Sequence, residues 1–466
     1  ADVDASGLRF EHNLPRRTPA GAPPALDVHL HHGTPAGDRL QAALAAAAAD
    51  GAGDASLRAV YATDIRRKAV TIAVEADAGD APDAAGRIEL AFDEGEIGAG
   101  DERLPVCELE FELKSGSPAA LLRLAADWLP RHRLWLSRAS KAERGLRLAR
   151  AKPLLPVVKA SNARVDTRMD AAALLRACVG ACLEQIVPNA EALASGADAP
   201  DYVHQLRVGL RRLRSVLREL APAAGAQLQA ERWSATLAET FAQLGAWRDR
   251  DAVVATAQAR LAAVGAPPVE WPARFTAAPE VSLEDAVRAP AFQLALVELT
   301  LWCMDPLALV VALPAEAPDG DAGPALKRLA PKPVQRAKAR DVAAAQLTRL
   351  HRRIARDARD FDELPVEQQH RTRKRLKRLR YLAEFVAPLF DKRAARKYLA
   401  ALAPAQEALG DYNDDAVAFA LYQEAAAQAP TAWFAVGWFA AHQADAVRRC
   451  KKALERVAKT PRFWRR

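Results

Sequence analysis

Two basic segments decide the fold: HQLRVGLRRLRSVLR at residues 204–218 and HRTRKRLKRLR at residues 370–380. Successive residues of an α-helix are rotated by about 100°, so each segment divides into two faces. In the first, a basic stripe lies opposite an apolar face: His204, Arg207, Arg211, Arg214 and Arg218 against Leu206, Leu210, Leu213 and Leu217. In the second, the stripe is His370, Arg373, Lys377 and Arg380, and the apolar face is Leu376 and Leu379. Both are predicted to be amphipathic helices that bury leucines and present cations.

Stacked cations repel one another, at a cost of roughly 0.2–0.5 kcal/mol for each pair one turn apart. For a single stripe, a solvated basic surface would be a sufficient explanation. This chain has two such stripes, far apart in sequence, one beginning at His204 and the other at His370. Their recurrence favours a polyanion that offsets the repulsion.

The similarity between the two segments continues downstream. LGAWRDRD, which begins at Leu244, follows the first stripe, and LGDYNDD, which begins at Leu409, follows the second at nearly the same distance. Matched spacing of two motif pairs indicates an internal duplication of about 150 residues. Within it, helices are expected over 226–245 and 248–264, and in the second copy over 393–409 and 415–428.

These motif pairs, HxxRVxxRRLRS with LGxxRDxD and HxxRKxxKRLRY with LGxxND, resemble the CHAD domain family. The resemblance covers about residues 163–466, with repeats over about 163–313 and 325–466. It implies a mainly α fold of two pseudo-symmetric four-helix bundles. It also implies a central groove, lined by basic helices, that binds inorganic polyphosphate.

The candidate polyphosphate-binding residues are the two basic stripes and the cations beside them. They are His204, Arg207, Arg211, Arg212, Arg214, Arg218, His370, Arg373, Lys374, Lys377, Arg378 and Arg380. The two histidines could bond phosphate oxygens, or they could cap a helix or pack in the core. Asp249 and Asp414, in the downstream motifs, are expected to pair with stripe arginines and fix their rotamers rather than to catalyse a reaction.

The N-terminal region has the pattern of β-strands. Residues 57–63, 69–75 and 87–92 are strand-like, and CELEFELK at 107–114 alternates strictly between polar and apolar residues. Alternation places Glu108, Glu110, Glu112 and Lys114 on one face. Such a row of carboxylates could hold Mg²⁺ or Mn²⁺, or it could simply be the solvated face of a strand.

IELAFDEGEI, CELEFELKSG and SKAERGLRL resemble the later half of a CYTH domain, the triphosphate tunnel family. The resemblance implies an α+β region of antiparallel strands within residues 1–155, a remnant of a tunnel barrel. It implies lumen carboxylates at Glu89, Glu108, Glu110 and Glu112, and phosphate contacts at Arg66, Lys114 and Lys141. The opening ExExK strand of the family is not found, so a catalytic tunnel is not expected from this chain alone. The remaining strands are expected either before Ala1, since the first methionine is Met169, or from a dimer partner.

Composition narrows the function further. Acidic side chains slightly outnumber basic ones over positions 1–160, whereas basic side chains are in clear excess over positions 161–466. The predicted polyanion-binding site therefore belongs to the C-terminal region. Five scattered cysteines do not suggest a disulfide framework, and no membrane span is expected. Nucleic acid is disfavoured because the stripes lack interleaved aromatic residues.

The sequence therefore predicts a cytoplasmic polyphosphate-binding protein, associated with polyphosphate granules and needing no cofactor for binding. The alternative is a metal-dependent triphosphatase that uses the N-terminal region.

Overall fold

The structure, a computed structural model, describes positions 12 and 14 and residues 27–49, 59–75, 85–152, 154–272, 279–304 and 337–465. Residues 248–252 are described by their helical backbone alone. The fold is mainly α with a small antiparallel sheet near the N-terminus, as the sequence predicts. The strands are β1 (Ala62–Val74), β2 (Gly86–Ala99) and β3 (Glu102–Gly116).

In the described part of the N-terminal region, three helices accompany the sheet: α1 (Pro35–Ala49), α2 (Pro118–His132) and α3 (Lys141–Ala149). The next five are α4 (Ala171–Ala194), α5 (Pro200–Leu220), α6 (Gln227–Ala262), α7 (Leu283–Arg288) and α8 (Pro290–Met304). The last four are α9 (Ala339–Asp357), α10 (Val366–Val386), α11 (Lys392–Ala425) and α12 (Ala432–Lys459).

Eight of these helices form two four-helix bundles. In the first bundle, α4, α5, α6 and α8 each pack against two of the others, and α9, α10, α11 and α12 do the same in the second. Helix α5 packs on α10 and α6 on α11, which joins the bundles. One apolar core runs through both, from Ala163 to Trp464. The bundles therefore share a core rather than touching only through polar surfaces.

The two basic segments form α5 and α10, and their leucines occupy the core. Leu206, Leu210 and Leu213 are fully buried. Leu376 and Leu379 are buried in the same way. Burying a leucine side chain contributes roughly 1.5–3 kcal/mol, so the apolar faces fix the rotation of both helices. The amphipathic prediction is confirmed for each segment.

Two predicted helix breaks are wrong. The structure has one continuous helix, α6, where helices over 226–245 and 248–264 were expected. It likewise has one helix, α11, in place of helices over 393–409 and 415–428. Glycine weakens a helix by about 1 kcal/mol relative to alanine. Packing against neighbouring helices on both sides of Gly410 outweighs that local preference.

The sheet has the order β1-β2-β3, with every neighbouring pair antiparallel. A single strand, β1, includes only the end of the first predicted stretch, 57–63, and nearly all of the second, 69–75. In the first stretch, residues 59–61 precede the strand, and residues 57–58 lie outside the described residues. Helix α2 packs on one face of the sheet, where Ile88 is buried beside Ala120. Helix α3 packs on the other face, where Leu148 contacts Ile97. The sheet is thus covered by a helix on each side.

The segment after α2 ties the sheet region to the first bundle. The Leu136 amide donates to the Gln293 side chain at 2.8 Å. The Arg138 amide donates to the buried carboxylate of Glu191 at 2.9 Å. Buried polar groups of α4 and α8 therefore hold the connecting segment in place.

Helix α4 is long and apolar enough to cross a membrane, by length and composition alone. However, 61% of its most apolar stretch is buried inside the protein. Buried Gln185 and Asn189 bond to neighbouring segments of the chain. The apolar character of α4 is accounted for by its place in the bundle core.

Candidate anion-binding site

A cavity of about 1210 Å³ opens between the two bundles. Helices α5 and α6 line it from the first bundle, and α9, α10 and α11 line it from the second. Among the described residues, twelve of the lining side chains are basic and three are acidic. The basic ones are Arg207, Arg211, Arg214, Arg218, Arg260, Arg353, Arg371, Arg373, Lys374, Arg375, Lys377 and Arg378. The acidic ones are Glu231, Asp414 and Asp415.

The arginines of α5 are arranged around one aromatic ring of α6. The guanidinium carbons of Arg207, Arg211 and Arg214 lie 4.8, 5.4 and 5.5 Å from the centre of the Phe241 ring. Contact between a cation and a ring face is worth about 0.5–1 kcal/mol at exposed sites and more where water is excluded. Phe241 therefore orients three cations of the cavity wall.

The neighbouring arginines of α5 also repel one another. Burial, together with the charges of Arg211 and Arg218, lowers the pKa of Arg214. A guanidinium stays protonated even so, because its pKa starts far above neutrality. The lowered pKa therefore records a site that disfavours its own positive charge, which a bound anion would relieve.

Carboxylates position several cations of α10. Arg378 donates to Glu219 of α5 at 2.8 Å, and this glutamate is 2% exposed. Arg375 pairs with Asp357 of α9. Arg373 lies 4.0 Å from Asp414, as the sequence predicted for an aspartate that positions a stripe arginine. The matching prediction for Asp249 lies outside the described side chains.

Eight of the twelve candidate residues line the cavity. They are Arg207, Arg211, Arg214, Arg218, Arg373, Lys374, Lys377 and Arg378. Each of the two helices therefore contributes four of the candidate residues to the wall.

The other four candidates lie elsewhere. His204 and His370 are half-buried; His204 lies about one turn before Arg207, and His370 directly precedes Arg371. Arg212 is 2% exposed and donates to the Ser161 carbonyl at 2.8 Å, so it belongs to the core. Arg380 pairs with Glu384 on the outside of α10 at 2.5 Å. A helix turns by about 100° per residue, which carries Arg212 away from the face of its neighbour Arg211.

Sequence reasoning missed several cations of the cavity. Arg371 and Arg375 lie beside the second stripe, within the same basic motif. Arg353 belongs to α9, a helix whose basic character was visible in the sequence. Arg260 pairs with Asp415 across the two bundles, and no local pattern marks it. A position set by the packing of distant helices leaves no signal in the neighbouring residues.

The acidic face of the sheet is a second group of charges. The strand register places Asp93 opposite Glu108. Carboxylate oxygens of Asp93, Glu108 and Glu110 lie within 4.8 Å of one another. Of the predicted metal ligands, Glu108 and Glu110 are brought together, whereas Glu112 pairs with Lys114 at 2.9 Å. Asp93 takes the place of Glu112 in the group. The position of Asp93 follows from the pairing of β2 with β3 rather than from the alternating motif.

Basic side chains already occupy these carboxylates. Lys141 lies 2.6 Å from Asp93 and 2.7 Å from Glu110. Arg67 lies 2.6 Å from each of the same two residues. The hydrogen bond from Arg67 lowers the pKa of the buried Asp93 to about 2. Arg66, which was expected to contact phosphate on this face, lies on the opposite face, and Arg67 takes its place.

A set of carboxylate oxygens of this kind suits Mg²⁺ or Mn²⁺ by its chemistry. However, Lys141 and Arg67 hold oxygens of both Asp93 and Glu110. A divalent cation would have to displace these contacts. The face therefore fits an internally neutralised cluster at least as well as a metal site.

Comparison with known proteins gives matches of different extent. A family model described as the CHAD domain matches residues 177–423. A curated inorganic triphosphatase of Haemophilus influenzae is 48% identical over 60 residues, which is 13% of this chain and 17% of that protein. The crystal structure of the CHAD domain from the plant Ricinus communis aligns with a TM-score of 0.46 at 27% identity, over 64% of this chain and 96% of that one. The present chain thus spans about a sixth of the triphosphatase and nearly all of the plant domain.

Proposed function

The chain belongs to the CHAD domain family, and on that premise we propose that it binds inorganic polyphosphate in the cavity between its two bundles. One observation carries the proposal: among the described residues, twelve basic and three acidic side chains line a single cavity. Its cations come from both bundles, so an anion there would contact both. The short match to an inorganic triphosphatase fits a function related to polyphosphate.

Polyphosphate suits this wall for physical reasons. Each phosphate unit carries about one negative charge, and binding releases the counterions that surround the polymer. A guanidinium presents two parallel N–H groups that match two phosphate oxygens. One cation per helical turn advances about 5 Å along α5 or α10, so a stripe can follow an extended chain.

Nucleic acid fits the cavity less well. Single strands are usually held by aromatic side chains on which the bases stack. Among the described lining residues, the aromatic one is Phe241, and arginines surround its ring. A phosphate polymer needs no such platform.

The proposal is tested by reversing two exposed charges of the wall, one from each bundle. Arg218→Glu combined with Lys374→Glu should weaken binding of long-chain polyphosphate by about 100-fold, because two charge-assisted contacts become repulsive. Arg448→Glu combined with Arg449→Glu makes the same change on α12, away from the cavity, and should lose far less affinity. A folded cavity variant with wild-type affinity would contradict the proposal; circular dichroism checks the fold.

A second candidate function is metal-dependent hydrolysis of triphosphate at the acidic face of the sheet. The match to an inorganic triphosphatase and the grouping of Asp93, Glu108 and Glu110 favour it. We expect no hydrolysis by this chain, because Lys141 and Arg67 already hold the carboxylates. Phosphate release from tripolyphosphate in Mn²⁺, abolished by Glu110→Gln, would establish the enzyme instead.

The same proposal places the protein in the cytoplasm on polyphosphate granules. A fluorescent fusion should co-localise with stained granules and disperse when the Arg218→Glu and Lys374→Glu changes are introduced. Granule localisation that survives both changes would require another anchor.

A further inference from the structure

A second basic concavity, of about 620 Å³, lies between helix α9 and the C-terminal tail. The described residues that line it include six arginines: Arg349, Arg352, Arg353, Arg356, Arg462 and Arg465. The tail segment that supplies the last two follows α12 and lies beyond the residues matched by the family model.

Buried aromatic residues hold the tail against α9. Trp464 is 5% exposed and donates its indole N–H to the Thr348 hydroxyl at 2.9 Å. Its ring meets that of Tyr398 edge to face at 4.9 Å. Phe463 packs on Phe390 with ring centres 5.4 Å apart. Because these rings belong to the core, Arg462 and Arg465 beside them are presented at a fixed place rather than on a loose end.

The arginines of α9 form one face. Arg349, Arg352, Arg353 and Arg356 are spaced at three and four residues, which aligns them along about two turns of the helix. Among the described residues that line this concavity, the charged ones are all arginines. Burial, Arg465 and Arg352 together lower the pKa of Arg462. The fold therefore gathers like charges that an anion would stabilise.

This surface is continuous with the main cavity. Arg353 lines both. Between them, the buried carboxylate of Glu219 accepts from Arg349 at 2.5 Å and from Arg378 at 2.8 Å. Arg349 faces the second concavity and Arg378 faces the first. One glutamate therefore fixes a cation on each side of the junction.

We infer that α9 and the C-terminal tail form a second contact surface for polyphosphate, which holds the part of a long chain that extends out of the main cavity past Arg353. The inference rests on the proposed function. It predicts that affinity grows with chain length, because a long polymer meets both surfaces whereas tripolyphosphate occupies one.

The test removes tail charges while the aromatic anchor is kept. Arg462→Gln combined with Arg465→Gln should weaken long-chain polyphosphate binding about tenfold, as expected for the loss of two ion pairs at the protein surface. The slope of log affinity against log salt should fall by about 0.7 for each lost contact. Affinity for tripolyphosphate should stay at the wild-type value.

Two further variants separate the possible explanations. Arg352→Gln combined with Arg356→Gln removes charge from the same surface without touching the tail, and should give the same loss. Arg448→Gln combined with Arg449→Gln removes equal charge from α12, away from both concavities, and should leave the chain-length dependence unchanged.

The outcomes are distinct. If both surface variants bind long chains as tightly as the wild type does, while Arg218→Glu with Lys374→Glu abolishes binding, the second surface is refuted and the proposed function stands. If the cavity variant also keeps full affinity, the proposed function fails and this inference fails with it. Equal losses in the surface variants and in the α12 control would show only a general effect of net charge, and would also overturn the inference.

Discussion

The sheet and the helical cavity use charge in opposite ways. On the sheet, Asp93 is buried and bonded by Lys141 and Arg67, so carboxylates and cations are matched within a few ångströms. In the cavity, basic side chains outnumber acidic ones by twelve to three among the described residues. One region is neutralised by its own side chains. The other keeps a positive excess that requires counterions or a polyanion.

The difference shows that a charged motif has to be judged together with its partners. CELEFELK is the more conspicuous acidic pattern, yet β1 and α3 supply cations that bond to its Glu110. The stripes of α5 and α10 face each other's cations across the cavity instead. Charge that is matched inside the protein is neutralised by its own partners, whereas charge in excess attracts an oppositely charged ligand.

The largest expected difference between the regions is in their response to salt. If roughly six cavity cations contact phosphate, the log–log slope is about −4, and affinity falls about 300-fold between 50 and 200 mM salt. Stability of the sheet should change little over that range, because its ion pairs are short and partly buried. Titration of long-chain polyphosphate at several salt concentrations measures the first quantity. A flat salt dependence would remove the contrast.

A second difference is in mild acid, and it concerns His351 of α9. This side chain is 5% exposed and lies 2.8 Å from the Tyr398 hydroxyl. Burial and the charges of Arg462 and Arg465 lower its pKa to about 4. The unfolded chain therefore takes up a proton below pH 6.5, whereas the folded chain does so only near pH 4. Above pH 6.5, His351 is neutral in both states and does not reduce the free energy of unfolding. As the pH falls from 6.5 towards 4, the free energy of unfolding decreases by about 3 kcal/mol at most.

Melting temperatures of the wild type and of His351→Phe, measured between pH 7 and pH 4, check this expectation. The wild type should lose stability relative to the variant as the pH falls. Parallel curves would show that His351 is not held neutral.

The smallest of the three effects is at the sheet, and it appears only in stronger acid. The pKa of Asp93 is about 2 in the folded protein, against 3.8 for an ordinary aspartate. The contribution of ionised Asp93 to the free energy of unfolding is fully present above pH 3.8 and is lost as the pH falls through 2. Because Arg67 is 48% exposed, solvent screens its interaction with Asp93, and the contribution of Asp93 amounts to about 1–2 kcal/mol.

Comparison with Asp93→Asn tests that value. The stability difference between wild type and variant should be constant above pH 4 and should shrink below it. If the stability difference between wild type and Asp93→Asn already shrinks near pH 6, Asp93 titrates in the same range as His351. That result would contradict the account of Asp93 in the sheet.

The bundle architecture was predictable because its signals are local and repeated. The leucines of α5 and α10 recur at helical spacing, and the same motif pair appears twice, so the rotation of both helices follows from the sequence. The alternation of β3 likewise predicts the acidic face of Glu108 and Glu110.

The features that the sequence could not predict depend on distant partners. Asp93 joins the acidic cluster through the pairing of β2 with β3, and Arg212 is drawn into the core by Ser161 and Phe385. Phe241 orients the α5 arginines from helix α6, where it lies outside the LGAWRDRD motif that begins at Leu244. Such positions are set by packing, which single-segment patterns do not contain.

The most direct test of the central claim is a competition titration. Labelled long-chain polyphosphate, bound at near-physiological salt, would be displaced by unlabelled long-chain polyphosphate, tripolyphosphate, ATP or duplex DNA. We predict that unlabelled long chains compete at far lower phosphate concentration than the other three, because they alone fill the cavity and extend beyond it. Equal displacement by DNA would contradict the account, since it would reduce the cavity to a general cationic surface.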